Sequence, residues 1–126
     1  MKRGRVDANQ KEITQFFRGR GFAVAITSDL GNGFPDLVVS KAGFNILIEI
    51  KDGTKPPSQR RLTDDEEAFH AGWKGHIAIV KNEQDVIWLD SFITKRAENE
   101  LSYLSIITSG LGNPERVDHQ PNIQAS

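Results

Sequence analysis

The stretch GFPDLVVSKAGFNILIEIKDG, residues 33–53, decides the predicted fold. Two apolar runs rich in β-branched residues, 35–40 and 44–51, predict strands, and a proline can open the first because the missing N–H costs little there. Gly43 permits a four-residue hairpin loop at 41–44. The stretch therefore predicts a β-hairpin. Its predicted core-facing positions are Leu37, Val39, Ile46, Ile48 and Ile50.

The hairpin register brings three charged side chains onto the opposite face. If Ser40 pairs with Asn45, then Asp36 lies opposite Glu49, with Cβ atoms about 4.5–5.5 Å apart. Lys51 shares that face because strand side chains alternate. Opposed like charges destabilise a sheet, and a hard cation with oxygen ligands would offset the repulsion. A salt-bridged triad on a solvent-facing strand is the alternative, but the neighbouring glycine-rich loop and the apolar hairpin favour a cation site.

The rest of the pattern predicts helices between further strands. Residues 7–20 predict an amphipathic helix, with Asp7 and Gln10 as a capping pair and Gly21 just past its end. The other predicted elements are strands at 22–27, 75–80 and 86–89, a helix opened by a Thr63–Glu66 capping box, and a closing helix at 91–104. The predicted inward-facing helix residues are Ile13, Phe16, Phe17, Ala68, Phe69 and Trp73.

This order, α-β-β-β-α-β-β with a closing helix, predicts an α/β fold in which helices flank a mixed central sheet. The 126 residues predict one compact domain at 1–107 and a polar tail at 108–126. The chain has no cysteine, no apolar leader segment and no run of membrane-spanning length, so we expect a cytoplasmic protein. Residues 1–61 hold 11 Lys and Arg against 6 Asp and Glu, which could supply a phosphate-binding surface.

Pro35-Asp36 followed by Glu49-Ile50-Lys51 resembles the signature of the PD-(D/E)XK nuclease superfamily. Within it, the chain is similar to VRR-NUC-like and archaeal Holliday-junction-resolvase-like nucleases over residues 7 to about 90. The resemblance implies a restriction-endonuclease-like three-layer core. It also implies Mg²⁺-dependent hydrolysis of phosphodiester bonds, with Mn²⁺ able to substitute because both ions take oxygen ligands. The similar segments include 20–24, 33–36, 48–53, 55–58, 62–66 and 73–75.

The resemblance also implies roles for the residues of the signature. Asp36 and Glu49 would be metal ligands, with the backbone carbonyl of Ile50 as a third ligand. Lys51 would orient or deprotonate the nucleophilic water, or offset the charge that develops on the phosphate. A metal so held would lower the pKa of a bound water and polarise a phosphoryl oxygen.

The first helix departs from the family pattern. Related nucleases often add an acid from this helix, but the matching position holds Gln10, which is a weaker metal ligand. Glu12 lies nearby in sequence, about 200° around the helix from Gln10. Two interpretations of Gln10 stay open, a catalytic residue and a simple helix cap.

Five further residues are candidates for contacts with nucleic acid. Ser28 and Asn32 lie in the loop before the signature proline, where related enzymes contact phosphates, although loop formation alone would explain both. Lys55, Arg60 and Arg61 follow the catalytic strand and could grip a backbone phosphate. The aromatic residues Phe69, Trp73 and Trp88 are predicted core residues and not base-stacking surfaces.

These observations predict a metal-dependent DNA endonuclease. The resemblance favours a structure-selective enzyme for branched, flapped or junction DNA, acting in DNA repair or recombination, and junction resolution would require a homodimer. One alternative is a weakly active or inactive nucleic-acid-binding module on a nuclease fold. Others are an RNase or restriction-type nuclease, or an interaction protein with an incidental acid pair. The histidines His70, His76 and His119 lack metal-ligand spacing.

Overall fold

The computed structural model describes the backbone of residues 3–111 and the side chains of residues 9–101. The elements of this part are α1 (Arg3–Gly19), β1 (Ala23–Ile26), β2 (Leu37–Lys41), β3 (Phe44–Ile50), a 3₁₀ turn (Pro57–Gln59), α2 (Asp64–Gly72), β4 (His76–Val80) and α3 (Glu83–Leu111). The strands form one sheet in the order β1-β2-β3-β4, antiparallel except for the parallel pair β3 and β4. The predicted α/β class with a mixed sheet is confirmed.

The chain divides into two compact units, Met1–Ile93 and Thr94–Ser126. The first unit contains the sheet, α1, α2 and the beginning of α3. The second is described as far as Leu111 and is helical there. Of the predicted tail, residues 108–111 belong to α3, and 112–126 lie outside the described residues. None of the described helices is both long and apolar enough to span a membrane.

The two ends of α1 differ in how well the sequence predicted them. The helix begins at Arg3, so Asp7 and Gln10 are interior positions and their predicted capping pair is wrong. The predicted glycine stop is confirmed, because Gly21 has a φ of +92°. There the N–H of Phe22 donates to the carbonyl of Phe17 at 3.1 Å, and their rings make an edge contact at 5.0 Å. This bond and ring contact close the last turn of α1 and direct the chain into β1.

The β2–β3 hairpin has the predicted register with a shorter turn. Ser40 pairs with Asn45, and the pairing extends to Lys41 and Phe44. The turn is therefore two residues and not four. Ala42 and Gly43 have φ angles of 54° and 86°, which is the type I′ geometry that matches the twist of paired strands. The predicted core positions of the hairpin are buried: Leu37, Val39, Ile46, Ile48 and Ile50.

The helix α2 buries no residue, which corrects the prediction that its apolar side chains face the core. Ala68 is exposed and Trp73 is 40% exposed, whereas Phe69 is half-buried. The predicted capping box is present, with Thr63 and Glu66 bonding each other's backbone N–H groups. The side chains of this nine-residue helix that contact other parts of the fold include Glu66 and Phe69.

The predicted strand at 86–89 is wrong, because these residues lie in α3. The side chain of Asn82 accepts the N–H of Asp85 at 2.9 Å, which is the usual bond of a helix N-cap. The buried positions Val86, Leu89 and Ile93 then follow helical spacing. A strand would place Val86 and Trp88 on one face, but Val86 is buried and Trp88 is 66% exposed.

A buried carboxylate of α3 bonds the end of β2 and the residue that follows α1. Asp90 of α3 is 6% exposed and accepts hydrogen bonds from Arg20 Nε at 2.9 Å and Lys41 Nζ at 2.8 Å. Lys41 also donates to the carbonyl of Arg20 at 2.6 Å and lies over the Phe22 ring. Burial raises the pKa of Asp90, but the bonds from Lys41 and Arg20 outweigh it and hold the pKa below its usual value.

Gly33 approaches the first turn of α2 too closely for any side chain. A Cβ on Gly33 would lie 2.3 Å from the backbone oxygen of Asp65, and the φ of Gly33 is +81°. Glycine alone adopts such a backbone at no steric cost. The loop that leads into Asp36 is therefore packed directly on the start of α2.

We expect Gly33→Ala to destabilise the fold more than Gly31→Ala. Gly31 has a similar φ of +74°, but an added Cβ there meets nothing within 4 Å, so its replacement carries only the conformational cost of about 1–2 kcal/mol. Gly33→Ala must also displace the backbone of α2, and we expect a loss of about 3 kcal/mol or more. Urea unfolding measures both variants, and equal losses would show that the loop does not contact α2.

Candidate active site

The end of β3, the loop that follows it, the start of α2, Asn9 of α1 and Asp36 before β2 surround a cavity of about 480 Å³. The loop after β3 folds back over this cavity before α2 begins. The lining residues are Asn9, Asp36, Glu49, Ile50, Lys51, Asp52, Lys55, Gln59, Arg61, Thr63 and Glu66. The cavity therefore brings together three of the four predicted catalytic residues, Asp36, Glu49 and Lys51, with further acids, amides and cations.

Asp36 is fixed beside β3 by its backbone and its carboxylate. Its carbonyl accepts the N–H of Thr27 at 2.8 Å, which extends the β1–β2 pairing by one residue beyond Leu37, the first residue of β2. Its Oδ2 accepts the N–H of Ile50 at 2.8 Å. Since the β2–β3 ladder ends at the Leu37–Ile48 pair, this carboxylate supplies the acceptor that β2 no longer provides. Asp36 is thereby held next to Glu49, as the register predicted.

Glu49 is a buried acid without a full set of partners. The residue is 3% exposed, and its Oε1 has no hydrogen-bond partner among the described residues. Burial, followed by the charges of Asp36 and Glu66, raises the pKa of Glu49 to about 9. Burial also raises the pKa of Asp36, against the opposing effect of the Ile50 N–H. Without a cation, the pair Asp36 and Glu49 (hereafter the carboxylate pair) thus favours sharing a proton at neutral pH.

Lys51 is held on the cavity wall by Glu66. Lys51 Nζ lies 2.8 Å from Glu66 Oε1 and 3.7 Å from Glu49 Oε2. The same Oε1 atom accepts the backbone N–H of Thr63 at 2.9 Å. Burial raises the pKa of Glu66, but the bonds from Lys51 and Thr63 outweigh it, so the pKa lies below its usual value. Glu66 is therefore ionised and positions the lysine ammonium.

The sequence identified Glu66 only as a helix cap and missed this second role. Its contact with Lys51 spans fifteen positions of the chain and crosses the loop 52–62, so no local sequence pattern predicts this contact. Asn9 was missed for the same reason. Its Nδ2 donates to the carbonyl of Lys51 at 3.2 Å, across 42 positions.

Gln10 lies beside the site and outside the cavity lining. Gln10 is buried, its Nε2 donates to Ser28 Oγ at 3.2 Å, and its Oε1 has no partner among the described residues. Glu12 is exposed. Two predicted site residues, Gln10 and Ser28, thus contact each other, and the interpretation of Gln10 as a helix cap does not hold because it lies inside α1.

The predicted nucleic-acid-binding residues separate into two groups. Lys55 and Arg61 line the cavity with the carboxylate pair. Arg60 and Asn32 do not line it. Asn32 is exposed with a φ of 56°, a conformation that its short side chain tolerates in a loop. The Nε of Arg60 is buried without a hydrogen-bond partner among the described residues.

The donor set of the cavity suits a hard cation in part. The carboxylate pair and Ile50 lie together, and the unpartnered Oε1 of Glu49 is an available oxygen ligand. Within residues 9–101, however, no three His, Cys, Asp or Glu side chains are grouped as a metal site. A cation bound here would complete its coordination with backbone, water or substrate oxygens, as Mg²⁺ commonly does.

We expect Glu49→Gln to remove a pH dependence of stability in protein kept free of divalent cations. The usual pKa of 4.5 applies to the unfolded chain and the value of about 9 to the folded one, so only the unfolded state releases this proton between those pH values. Wild-type stability should therefore fall as pH rises from about 4.5 to 9. Unfolding curves of both proteins across this range measure the difference. Curves that run parallel would contradict a protonated Glu49.

We expect a larger coupling energy between Lys51 and Glu66 than between Lys81 and Asp85. The first pair is mostly buried, whereas side chains of the second are about one-third exposed at a similar distance of 3.0 Å. A double-mutant cycle with Lys51→Met and Glu66→Gln should give about 1–3 kcal/mol. The exposed i,i+4 pair should give about 0.3–0.5 kcal/mol. Equal coupling in the two cycles would mean that Glu66 does not hold Lys51.

Comparison with known proteins adds no relative to these observations. No family model matches the chain, and searches of curated proteins and of solved structures find no match. The geometry of the site combines a buried carboxylate pair with the ammonium of Lys51, which lies 2.8 Å from Glu66 Oε1. Two further cationic side chains line the same cavity.

Proposed function

We propose that the protein is a divalent-metal-dependent nuclease of the PD-(D/E)XK type that hydrolyses phosphodiester bonds in DNA. The observation that carries this proposal is the buried Glu49, which has an unpartnered oxygen, a raised pKa and Asp36 beside it at the wall of a cavity. Such a group is costly to keep in a folded protein unless it serves a ligand. A Mg²⁺ ion is the ligand that this donor chemistry favours, and Mn²⁺ should replace it.

The fold supports the proposal at a coarser level. A four-stranded mixed sheet with helices is compatible with the restriction-endonuclease-like core that the signature implies. The site also lies at the end of β3, where the signature places its acid and lysine. One departure is that β4 is followed by a helix, where the sequence suggested a fifth strand.

In the proposed mechanism, each residue of the site has a distinct task. Asp36, Glu49 and the carbonyl of Ile50 would hold the ion, which lowers the pKa of a bound water and stabilises charge on the phosphate. Glu49 would give up its proton when the ion binds, since a cation favours the ionised carboxylate. Lys51 would place its ammonium against the developing phosphate charge, and Glu66 keeps that ammonium in place.

The cations on the cavity wall suit a nucleic-acid backbone. Lys55 and Arg61 would bind phosphates next to the reacting one, which orients the strand without reading its bases. Without these positive charges, the negative charges of the carboxylate pair and Glu66 would repel a phosphate. Binding of this kind does not depend on base sequence. The resemblance to structure-selective nucleases favours branched, flapped or junction DNA as the substrate, and cutting both strands of a junction would require a homodimer.

A non-catalytic nucleic-acid-binding module is a second candidate, and one observation favours it. Gln10 occupies the position where related nucleases often place a further acid, and its amide bonds Ser28 without facing the cavity. The site then has two carboxylate ligands where an active enzyme of this type often has three. Binding of DNA without cleavage under any metal condition would select this candidate.

We expect metal-dependent cleavage that depends on the carboxylate pair. Labelled single-stranded, duplex, flapped and four-way-junction DNA, with RNA as a comparison, should be incubated with Mg²⁺, Mn²⁺ or EDTA. Asp36→Asn, Glu49→Gln and Lys51→Ala should each reduce cleavage about 100-fold or more, while the folded structure persists. Lys81→Ala, which removes a lysine paired outside the cavity, should cleave as the wild type does. Cleavage that persists in EDTA or in Glu49→Gln would contradict the proposal.

A further inference from the structure

An aromatic series leads from the loop before Asp36 to the surface. The Phe34 ring meets the Phe69 ring edge-on at 5.1 Å, and Phe69 stacks on Trp73 at 5.4 Å with an interplanar angle of 16°. Phe34 and Phe69 are half-buried, while Trp73 is 40% exposed. The series therefore ends in an indole whose inner face is covered by Phe69 and whose side chain remains accessible to a ligand.

The series runs along the same side of α2 that forms the cavity wall. Glu66, Phe69 and Trp73 are spaced i, i+3 and i+7, so they follow one face of the helix. At 1.5 Å per residue, Trp73 lies about 10 Å along the helix axis from Glu66. On this face Glu66 lines the cavity and lies 2.8 Å from Lys51 Nζ, so the face turns toward the site. Trp73 is thus within reach of a nucleotide next to one bound in the cavity.

The Trp73 ring packs on Phe69 and close to the backbone of Gly75. A Cβ on Gly75 would lie 2.9 Å from the indole nitrogen of Trp73, so the ring occupies space that the glycine leaves free. Phe69 stacks on one face of the ring. Trp73 is the C-cap residue of α2 and has an extended backbone. A ring packed in this way loses little conformational freedom when a second flat group stacks on it.

We propose that Trp73 is a stacking surface for an unpaired base of the DNA strand whose phosphate occupies the cavity. This inference rests on the proposed nuclease function for the identity of the ligand. Aromatic side chains stack on bases of any sequence, because every base has a π-face. In a blunt duplex all bases except the outer faces of the terminal pairs are stacked on their neighbours, so few faces are free for the indole. The protein should therefore prefer DNA with an unpaired extension, as in a flap or a single strand, over blunt duplex.

The choice of a base as the occupant follows from continuity with the cavity. Lys55 and Arg61 on the cavity wall would bind the phosphate backbone of the strand. The bases of that strand would then remain free to stack on a neighbouring aromatic side chain. The other exposed aromatic pair, Trp88 and Phe92 of α3, is also stacked, at 5.8 Å and 7°. Trp88 is more exposed than Trp73, but it lies on α3, which contributes no described residue to the cavity lining. This second pair is a matched control within the same protein.

The two tryptophans of the chain allow the test to be made by fluorescence. In Trp88→Phe, Trp73 is the only tryptophan, and in Trp73→Phe, Trp88 is. Each protein is titrated, with Ca²⁺ in place of Mg²⁺ to limit cleavage, against a blunt duplex, the same duplex with an unpaired extension, and that extension with abasic residues. We expect the unpaired extension to quench Trp73 strongly, and the blunt and abasic forms to quench it weakly. Trp88 emission should change little with any of them.

Binding constants provide the second measurement. Trp73→Ala should weaken binding of the extended duplex about tenfold and leave the blunt duplex within about twofold. Trp73→Phe should retain most of the affinity, because a smaller ring still stacks, and Trp88→Ala should bind as the wild type does. Circular dichroism of Trp73→Ala verifies that it is folded. If it is not, Trp73→Leu, which fills the space with an apolar group that cannot stack, should show the same selective loss.

The outcomes separate this inference from the proposed function. Equal quenching of Trp73 by blunt and extended DNA, or equal losses of affinity for both in Trp73→Ala, would overturn the stacking role. If metal-dependent cleavage is observed in the same preparations, the nuclease proposal stands without it. Selective quenching of Trp73 without any cleavage in Mg²⁺ would support the stacking role on a binding module. Absence of binding to every oligonucleotide would overturn both.

Discussion

The pairing register of β2 with β3 is the constraint on which both the core and the candidate site depend. With Leu37 opposite Ile48, the apolar side chains of both strands fall on a buried face, and Asp36 is brought beside Glu49. A slip of one residue would turn the apolar set to the other face and separate the acids. The two-residue turn fixes the register at one end of the hairpin, and the bond from Ile50 N–H to Asp36 fixes it at the other.

The site is also a place where the fold accepts an unfavourable arrangement. Burying Glu49 beside a second acid raises its pKa and lowers stability at neutral pH, while Glu66 adds a further negative charge nearby. The charge of Glu66 has a clear local use, because one oxygen of Glu66 both caps α2 and holds Lys51. The start of α2 and the position of the lysine are thus linked through a single atom. Strained electrostatics of this kind concentrate at functional sites, since ligands supply the missing compensation.

Local patterns in the sequence predicted what depends on neighbouring residues and missed what depends on distant ones. The hairpin register, the glycine stop at Gly21 and the capping box at Glu66 all follow from short-range chemistry. The strand predicted at 86–89 was an avoidable error, because Asn82 was present as a helix-capping signal. No local signal reveals that Glu66 reaches Lys51, or that α2 leaves its aromatic end exposed, because both depend on how the loop after β3 folds back.

The exposed turn of the β2–β3 hairpin is a poorer site for inserting a peptide than its exposure suggests. Ala42 and Gly43 are exposed, and exposed two-residue turns are usual places to insert a peptide or open a circular permutant. Here the residue before the turn, Lys41, is bonded to Asp90 of α3 and to the carbonyl of Arg20 at the end of α1. An insertion that displaced Lys41 would leave Asp90 buried with one fewer cation, and the loss would reach two helices. Exposure of a turn therefore does not by itself show that its backbone can be displaced.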